Sequence, residues 1–188
     1  LCNSKPDAVS RYTGVFSSPL MKNIPMATAC GNHDYKETVY AYVTNNPNVY
    51  NQGQAISPDC NGGDYWFVKN DVLFLYINSN WISAGDHYDF VKQAVEANPD
   101  VKWRVAVFHH DLYGGHIESR EDENQLLQTM LVPILDEFKV DLVLMGHSHV
   151  FSRSHVLYGD TVAADITDEQ YVEDANGTIY ITTGSTCR

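Results

Sequence analysis

Two histidines one residue apart, His147 and His149, follow an apolar run from Val140 to Met145 that only Asp141 interrupts. Gly146 separates the run from the pair and lets the backbone turn. In an extended backbone, residues i and i+2 point to the same side, so both imidazoles can aim at one place. Two neutral imidazoles aimed at one place suit a transition metal. The same grammar, an apolar strand and then a polar block, recurs twice. Asn32-His33-Asp34 follows the Pro25–Cys30 stretch, and His109-His110-Asp111 follows Val101–Phe108. Three such ends in one sheet can converge, because open α/β sheets bind ligands beyond the carboxyl ends of their strands. An amide oxygen from Asn32 and three imidazoles form a mixed N/O set that suits Zn, Fe, Mn or Co better than Ca. The competing reading of His147 and His149 alone is two unrelated surface histidines.

A sheet must carry these blocks. Val101–Phe108 is rich in β-branched and aromatic residues and reads as a strand. A helix capped by Asp86 runs through about Ala97, with Tyr88, Val91, Ala94 and Val95 on one face. Glu121 to Phe138 repeats Leu126, Leu127, Met130, Leu131, Ile134, Leu135 and Phe138 at helical spacing, and Pro133 interrupts it. Tyr65–Lys69 and Val72–Asn78 form a hairpin around Asn70-Asp71. Four β runs follow Arg153 (Ser154–Tyr158, Thr161–Ile166, Gln170–Glu173 and Thr178–Thr183), with turns at Gly159-Asp160 and Asn176-Gly177. Near the start, Pro6–Leu20 has near-helical spacing, and Pro25–Cys30 reads as a strand. Residues 36–63 read as a long loop with one helical turn near Thr38–Val43. The fold expected is a mixed two-sheet β-sandwich flanked by helices, of the α+β or α/β class.

Composition narrows the function. The chain has 188 residues, 44% hydrophobic and 19% charged, which suits one domain with a sizeable core. Its formal charge of −12 argues against general nucleic-acid binding, which needs Lys and Arg to neutralise phosphates. No stretch approaches the length of apolar sequence that crosses a membrane. The four cysteines, Cys2, Cys30, Cys60 and Cys187, form no CxxC pair. Cys30 reads as a small buried residue, and disulfide pairing stays open.

These residues resemble the calcineurin-like metallophosphoesterase superfamily, in its purple acid phosphatase-like branch. The resemblance rests on Gly31-Asn32-His33-Asp34, then Val107-Phe108-His109, then Gly146-His147-Ser148-His149, in that order. Gly63-Asp64-Tyr65-Trp66-Phe67 and Val150-Phe151-Ser152-Arg153 also look like that branch. The family carries two earlier blocks that supply a metal-binding Asp and the Asp bridging both metals. Neither block occurs in this chain, and Asp7 and Asp34 stand in the wrong context to replace them. The expectation is therefore a single catalytic domain over 1–188 that lacks its first strands, with the family's four-layer fold incomplete at the N-terminus.

The resemblance implies roles. Asn32, His109 and His147 would ligate one metal, and His149 the other, together with the missing carboxylates. Two divalent or trivalent transition metal ions (Fe, Zn or Mn) are expected in the intact domain. His33 would serve the leaving oxygen, with Asp34 orienting it; the alternative for Asp34 is a helix N-cap. Neighbours on an extended chain point opposite ways, so only one of His109 and His110 is expected to be a ligand. The motif register selects His109 and leaves His110 to line the substrate cleft; Tyr113 and Tyr65 would line it too, with packing in the protein as the favoured alternative for both tyrosines. His116 on the loop after Gly114-Gly115 would contact phosphate or donate a proton, or stand as an exposed loop histidine. His87 and His155 read as structural.

The leading expectation is hydrolysis of small phosphate mono- or diesters by a dinuclear-metal-activated hydroxide. The alternative is a non-catalytic fragment or degenerate homologue that keeps the fold and at most one weak metal site. A remoter reading, an amidohydrolase, also uses HxH but does not explain Gly31-Asn32-His33-Asp34. Location at the cell surface or outside the cell is a weak corollary of the branch resembled, and the oligomeric state stays open.

Overall fold

A computed structural model of the chain describes residues 7–34, 39–50, 63–113, 121–167, 173 and 175–184. Its elements in order are α1 (Ala8–Phe16), α2 (Pro19–Asn23), α3 (Val39–Val43), β1 (Tyr65–Lys69), β2 (Val72–Tyr76), α4 (Ala84–Ala97), β3 (Trp103–Val107), α5 (Glu121–Glu137), β4 (Leu142–Met145), β5 (Ser152–Tyr158), β6 (Thr161–Ala164) and β7 (Thr178–Thr182). The strands hydrogen-bond in the order β1-β2-β3-β4-β7-β5-β6. The sheet is mixed: β2, β3, β4 and β7 run parallel, while β1, β5 and β6 join antiparallel. Mixed strand direction and flanking helices are as the sequence implies. The hydrogen bonding links all seven described strands into one continuous sheet.

Local chemistry explains the frame. Asn70 and Asp71 both adopt positive φ, 53° and 63°, the conformation a tight two-residue hairpin requires. Gly159 and Asp160 do the same at 54° and 60° between β5 and β6. Helix α4 starts one turn earlier than Asp86. The Ser83 side chain accepts the Asp86 N–H and is the cap, and Asp86 lies in the first turn. Pro133 does not break α5, which runs unbroken to Glu137.

The core lies where α4 and α5 cover one face of the sheet. Leu73 and Leu75 of β2, Ala106 of β3 and Val143 and Met145 of β4 are buried there. Phe90, Val91 and Ala94 of α4 and Leu127, Leu131 and Leu135 of α5 complete it. Burial alternates along β2 and β4, as the two-residue period of a strand demands. A smaller cluster of Ala8, Tyr12, Cys30 and Tyr40 ties α1 and α3 to the 25–30 segment. That segment is not a strand, contrary to the sequence expectation. It is held instead by side chains: the Tyr65 hydroxyl donates to the Thr28 carbonyl at 2.7 Å, and Asn80 donates to the Cys30 carbonyl at 3.0 Å. The β run expected at 170–173 lies almost entirely outside the described residues, as do three of the four cysteines.

Candidate metal centre

Parallel strands β3 and β4 are neighbours, so their carboxyl ends release two loops side by side. The His109 carbonyl accepts the Gly146 N–H at 3.0 Å, which joins the loops where the histidines begin. The 31–34 segment arrives against them. A Cβ added to Gly31 would lie 3.0 Å from Asp34 Oδ2 and 3.3 Å from His109 Nδ1, so glycine admits this close approach.

Three imidazoles crowd the junction. Ring centroids of His109 and His147 are 4.8 Å apart, His110 and His147 4.6 Å, and His109 and His110 5.1 Å. His109 Nε2 lies 3.0 Å from Asn32 Oδ1 and 3.0 Å from His147 Nδ1. On its other side, His147 Nε2 lies 3.5 Å from Glu123 Oε2, and His110 Nε2 lies 3.6 Å from Glu123 Oε1. Ligand atoms of His110, Glu123 and His147 all fall within 4.8 Å of one another. His147 thus stands between two donor sets. Its Nδ1 faces His109 Nε2, which also meets Asn32 Oδ1, and its Nε2 faces Glu123, which also meets His110.

Electrostatics keeps the His109 ring neutral at the heart of the site. Burial, reinforced by the His110 and His147 rings alongside, pushes the His109 imidazole down to about 3, although Asp34 opposes the shift. Neutral imidazole is the form that binds metals. Asp34 is itself buried and accepts the Tyr12 hydroxyl. Asp111, also buried, accepts the Ser148 hydroxyl, and Asn124 Nδ2 lies 3.5 Å from its other oxygen.

The sequence-derived residues fall into three groups. Asn32, His109, His110 and His147 come together. His33 and His149 are exposed at the rim, and Tyr113 is engaged elsewhere. The Tyr113 hydroxyl donates to Asp160, and its ring meets Tyr180 edge-on at 4.7 Å. His116 lies outside the described residues. Two geometric arguments from the sequence do not hold. His147 and His149 adopt positive φ, 68° and 58°, so the backbone there is left-handed and not extended. Strict alternation also fails at His109-His110, because β3 ends at Val107 and both rings reach His147.

Glu123 and Ser79 were not anticipated. Glu123 sits in an acidic start of α5, where Glu121, Asp122 and Glu123 are indistinguishable by type. Ser79 Oγ lies 2.8 Å from His110 Nδ1, but nothing in a lone serine after a strand announces that contact.

Comparison with known proteins supplies the family. The model of the calcineurin-like phosphoesterase family matches residues 6–151. The chain is 24% identical over 197 residues to purple acid phosphatase 23 of Arabidopsis thaliana, a match spanning 96% of this chain and 40% of that one. It is 26% identical over 190 residues to purple acid phosphatase 13 of the same plant, spanning 93% of this chain and 31% of that one. It is also 21% identical over 189 residues to a protein named probable inactive purple acid phosphatase 1, spanning 88% of this chain and 30% of that one. The chain therefore spans less than half the length of each of these relatives. The structure of purple acid phosphatase PPD1 from yellow lupin seeds superposes with a TM-score of 0.53 at 18% identity, over 69% of this chain and 24% of that one, a likeness of fold. On the family match, which takes in all three strand-end blocks, this chain belongs to the calcineurin-like phosphoesterase family.

Proposed function

We propose that this chain carries a metal-dependent phosphoesterase site that hydrolyses small phosphate mono- or diesters. The observation that carries the reading is the convergence of Asn32 Oδ1, His109 Nε2 and His147 Nδ1, in two steps of 3.0 Å. Donors bound to one ion at the roughly 2.0–2.1 Å typical of zinc–nitrogen bonds stand about 3.3 Å apart in a tetrahedron, a spacing that both of these contacts approach. A metal pair would supply an activated hydroxide and neutralise charge developing on the phosphoryl oxygens.

The chain's own residues take the remaining tasks. Asn32, His109 and His147 hold one ion. Glu123 Oε2, 3.5 Å from His147 Nε2, would favour hydrogen on that nitrogen and leave Nδ1 to bind, a common carboxylate–histidine arrangement. His149 offers a donor for the second ion from the rim. His33, exposed beside Asn32, protonates the leaving oxygen, and His110 faces the substrate. His116, which lies outside the described residues, would serve as a phosphate contact. Asp34 is a holding residue for the 31–34 loop through its bond with Tyr12.

A second reading follows from Glu123. His110, Glu123 and His147 through Nε2 make a two-histidine, one-carboxylate set of the kind seen at catalytic zinc. One neutral imidazole offers one lone pair, so the two sets compete for His147. Zinc titrations of Asn32→Ala and Glu123→Gln separate them. The first reading expects the larger loss of affinity in Asn32→Ala, and the second expects it in Glu123→Gln. Turnover of nitrophenyl phosphate and bis-nitrophenyl phosphate with added Mn or Zn tests the reaction. A full-length parent protein with its metals confirmed bound and no turnover of either ester would sink it.

A further inference from the structure

Asp64 and His87 are both fully buried, and His87 Nδ1 lies 2.6 Å from Asp64 Oδ2. His87 Nε2 lies 2.8 Å from the Trp81 carbonyl oxygen. A carboxylate and a carbonyl only accept, so both ring nitrogens carry hydrogen and the ring is an imidazolium. Burial by itself disfavours that charge, but the Asp64 carboxylate and the two hydrogen bonds outweigh it and hold the ring's pKa above the ordinary value. A buried ion pair is costly to desolvate and is weak evidence for stability alone. Its placement suggests another use.

The pair grips both ends of one turn. Asp64 Oδ1 accepts the Asn78 N–H at 2.7 Å, while His87 holds the Trp81 carbonyl. Between those grips, each half of the metal centre is touched. Ser79 Oγ accepts the His110 N–H at 3.2 Å and lies 2.8 Å from His110 Nδ1. Asn80 Nδ2 donates to the Cys30 carbonyl at 3.0 Å, two residues before Asn32. Asn78 Oδ1 in turn accepts from the Asn80 side chain at 2.9 Å and from its N–H at 3.2 Å. The turn spans the gap between the 25–30 segment and the loop after β3, which no strand bridges.

We propose that the buried Asp64–His87 pair is a positioning device for the metal centre. It sets the 78–81 turn, whose Ser79 fixes the His110 ring and whose Asn80 fixes the backbone leading to Asn32. The inference rests on the metal-binding reading above, though not on which donor set takes the ion, because the turn reaches both.

Zinc affinity, read by competition with a chelating dye, tests it beside the thermal midpoint, in the full chain and in four variants. Asp64→Ala removes both grips and is expected to lose about tenfold to a hundredfold in affinity, the scale seen when outer partners of metal ligands are removed. Asp64→Asn is the conservative variant. Its amide oxygen still takes the Asn78 N–H, its NH2 meets a neutral His87 Nδ1, and His87 Nε2–H still meets Trp81. It should bind zinc within about threefold of wild type, since position and not charge is what the pair provides. Whichever donor set takes the ion, the variant on its side (Asn80→Ala for the Asn32 set, Ser79→Ala for the His110 set) should lose about tenfold while remaining folded, so the two decide the matter even if Asp64→Ala fails to fold. Wild-type affinity in both Ser79→Ala and Asn80→Ala overturns the inference. So does an Asp64→Asn protein that binds as poorly as Asp64→Ala. No substrate enters the measurement: the expected affinity pattern with no ester hydrolysis removes the proposed reaction and leaves the positioning role standing. A wild-type chain that takes up no zinc removes both.

Discussion

The buried carboxylate of Asp111 accepts the hydroxyl of Ser148, which ties the loop after β3 to the loop after β4. These are the loops that carry His109, His110 and His147. Ser148 sits between two residues with left-handed backbone, His147 and His149, and its own N–H is satisfied by the Gly146 carbonyl at 2.8 Å. The bond therefore pins the segment whose backbone is the most strained in the site.

Removing one partner of that bond strands the other in a buried place. Asp111→Ala is expected to destabilise the fold by about 1–3 kcal/mol, the usual penalty for an unsatisfied buried polar group. Ser148→Ala removes the hydroxyl that this buried carboxylate accepts and should cost a similar amount. Urea unfolding at neutral pH reads both. The double variant should cost less than the sum of the two, and strict additivity would show that the bond does not form in solution.

Gly31 is the point of closest approach between the Asn32 loop and the His109 ring. In Gly31→Ala the added methyl would sit 3.0 Å from Asp34 Oδ2 and 3.3 Å from His109 Nδ1, so ring and carboxylate must give way. Zinc affinity is expected to fall by about tenfold, with the core of α4, α5 and the sheet untouched. Unchanged zinc binding in Gly31→Ala would mean that His109 is not held where the ion needs it.

Tyr12 links α1 to the site through Asp34. Tyr12→Phe keeps the ring and its stacking on Phe16, at 6.3 Å between centroids, but leaves the buried carboxylate short of a donor. A loss of about 1–3 kcal/mol is expected by thermal or urea unfolding. Hydrogen exchange should report faster opening of residues 8–16 than of the α5 amides, because α1 belongs to the small cluster and not to the main core.

The His87–Asp64 pair predicts a pH dependence with a definite sign. The folded-state pKa of His87 is raised above the unfolded value of 6.5, with Asp64, Asp86 and the Trp81 carbonyl favouring the charged ring. Its stabilising contribution is fully present below pH 6.5 and is lost as pH rises through the folded pKa. The urea midpoint of the metal-free wild type should therefore decline on the alkaline side of that value. In Asp64→Asn, where His87 is neutral, this decline should vanish. A decline of equal size in both proteins would show that other groups cause it.

The sequence was most informative where local rules dominate. The hairpin turns at Asn70-Asp71 and Gly159-Asp160, the amphipathic α4 and α5, and the apolar runs of β3 and β4 follow from spacing and turn chemistry alone. The meeting of His109 and His147 follows from the adjacent ends of β3 and β4, whereas Asn32 arrives on a segment that is not a strand. What the sequence hid depends on the backbone after each strand has ended. At His109-His110 and at His147–His149 the chain is turning, so alternation along a strand no longer says where a side chain goes. Glu123 reaches the histidines from a helix packed across the sheet, and no local pattern separates it from Asp122. The 25–30 segment has strand-like composition, yet in this structure it pairs through the side chains of Tyr65 and Asn80 instead of a ladder.

The sheet order carries a consequence for how the chain assembles. β7 lies between β4 and β5, so the final described strand is the wedge that joins two otherwise separate sets, β1 to β4 and the β5–β6 hairpin. On the ribosome, β4 presents a naked edge and the hairpin has no neighbour until Thr178–Thr182 has emerged. Closure of the sheet therefore waits for residues 178–182 to emerge. A nascent chain stalled before residue 178 exposes an apolar strand edge beside the histidines, a surface that invites chaperones and self-association.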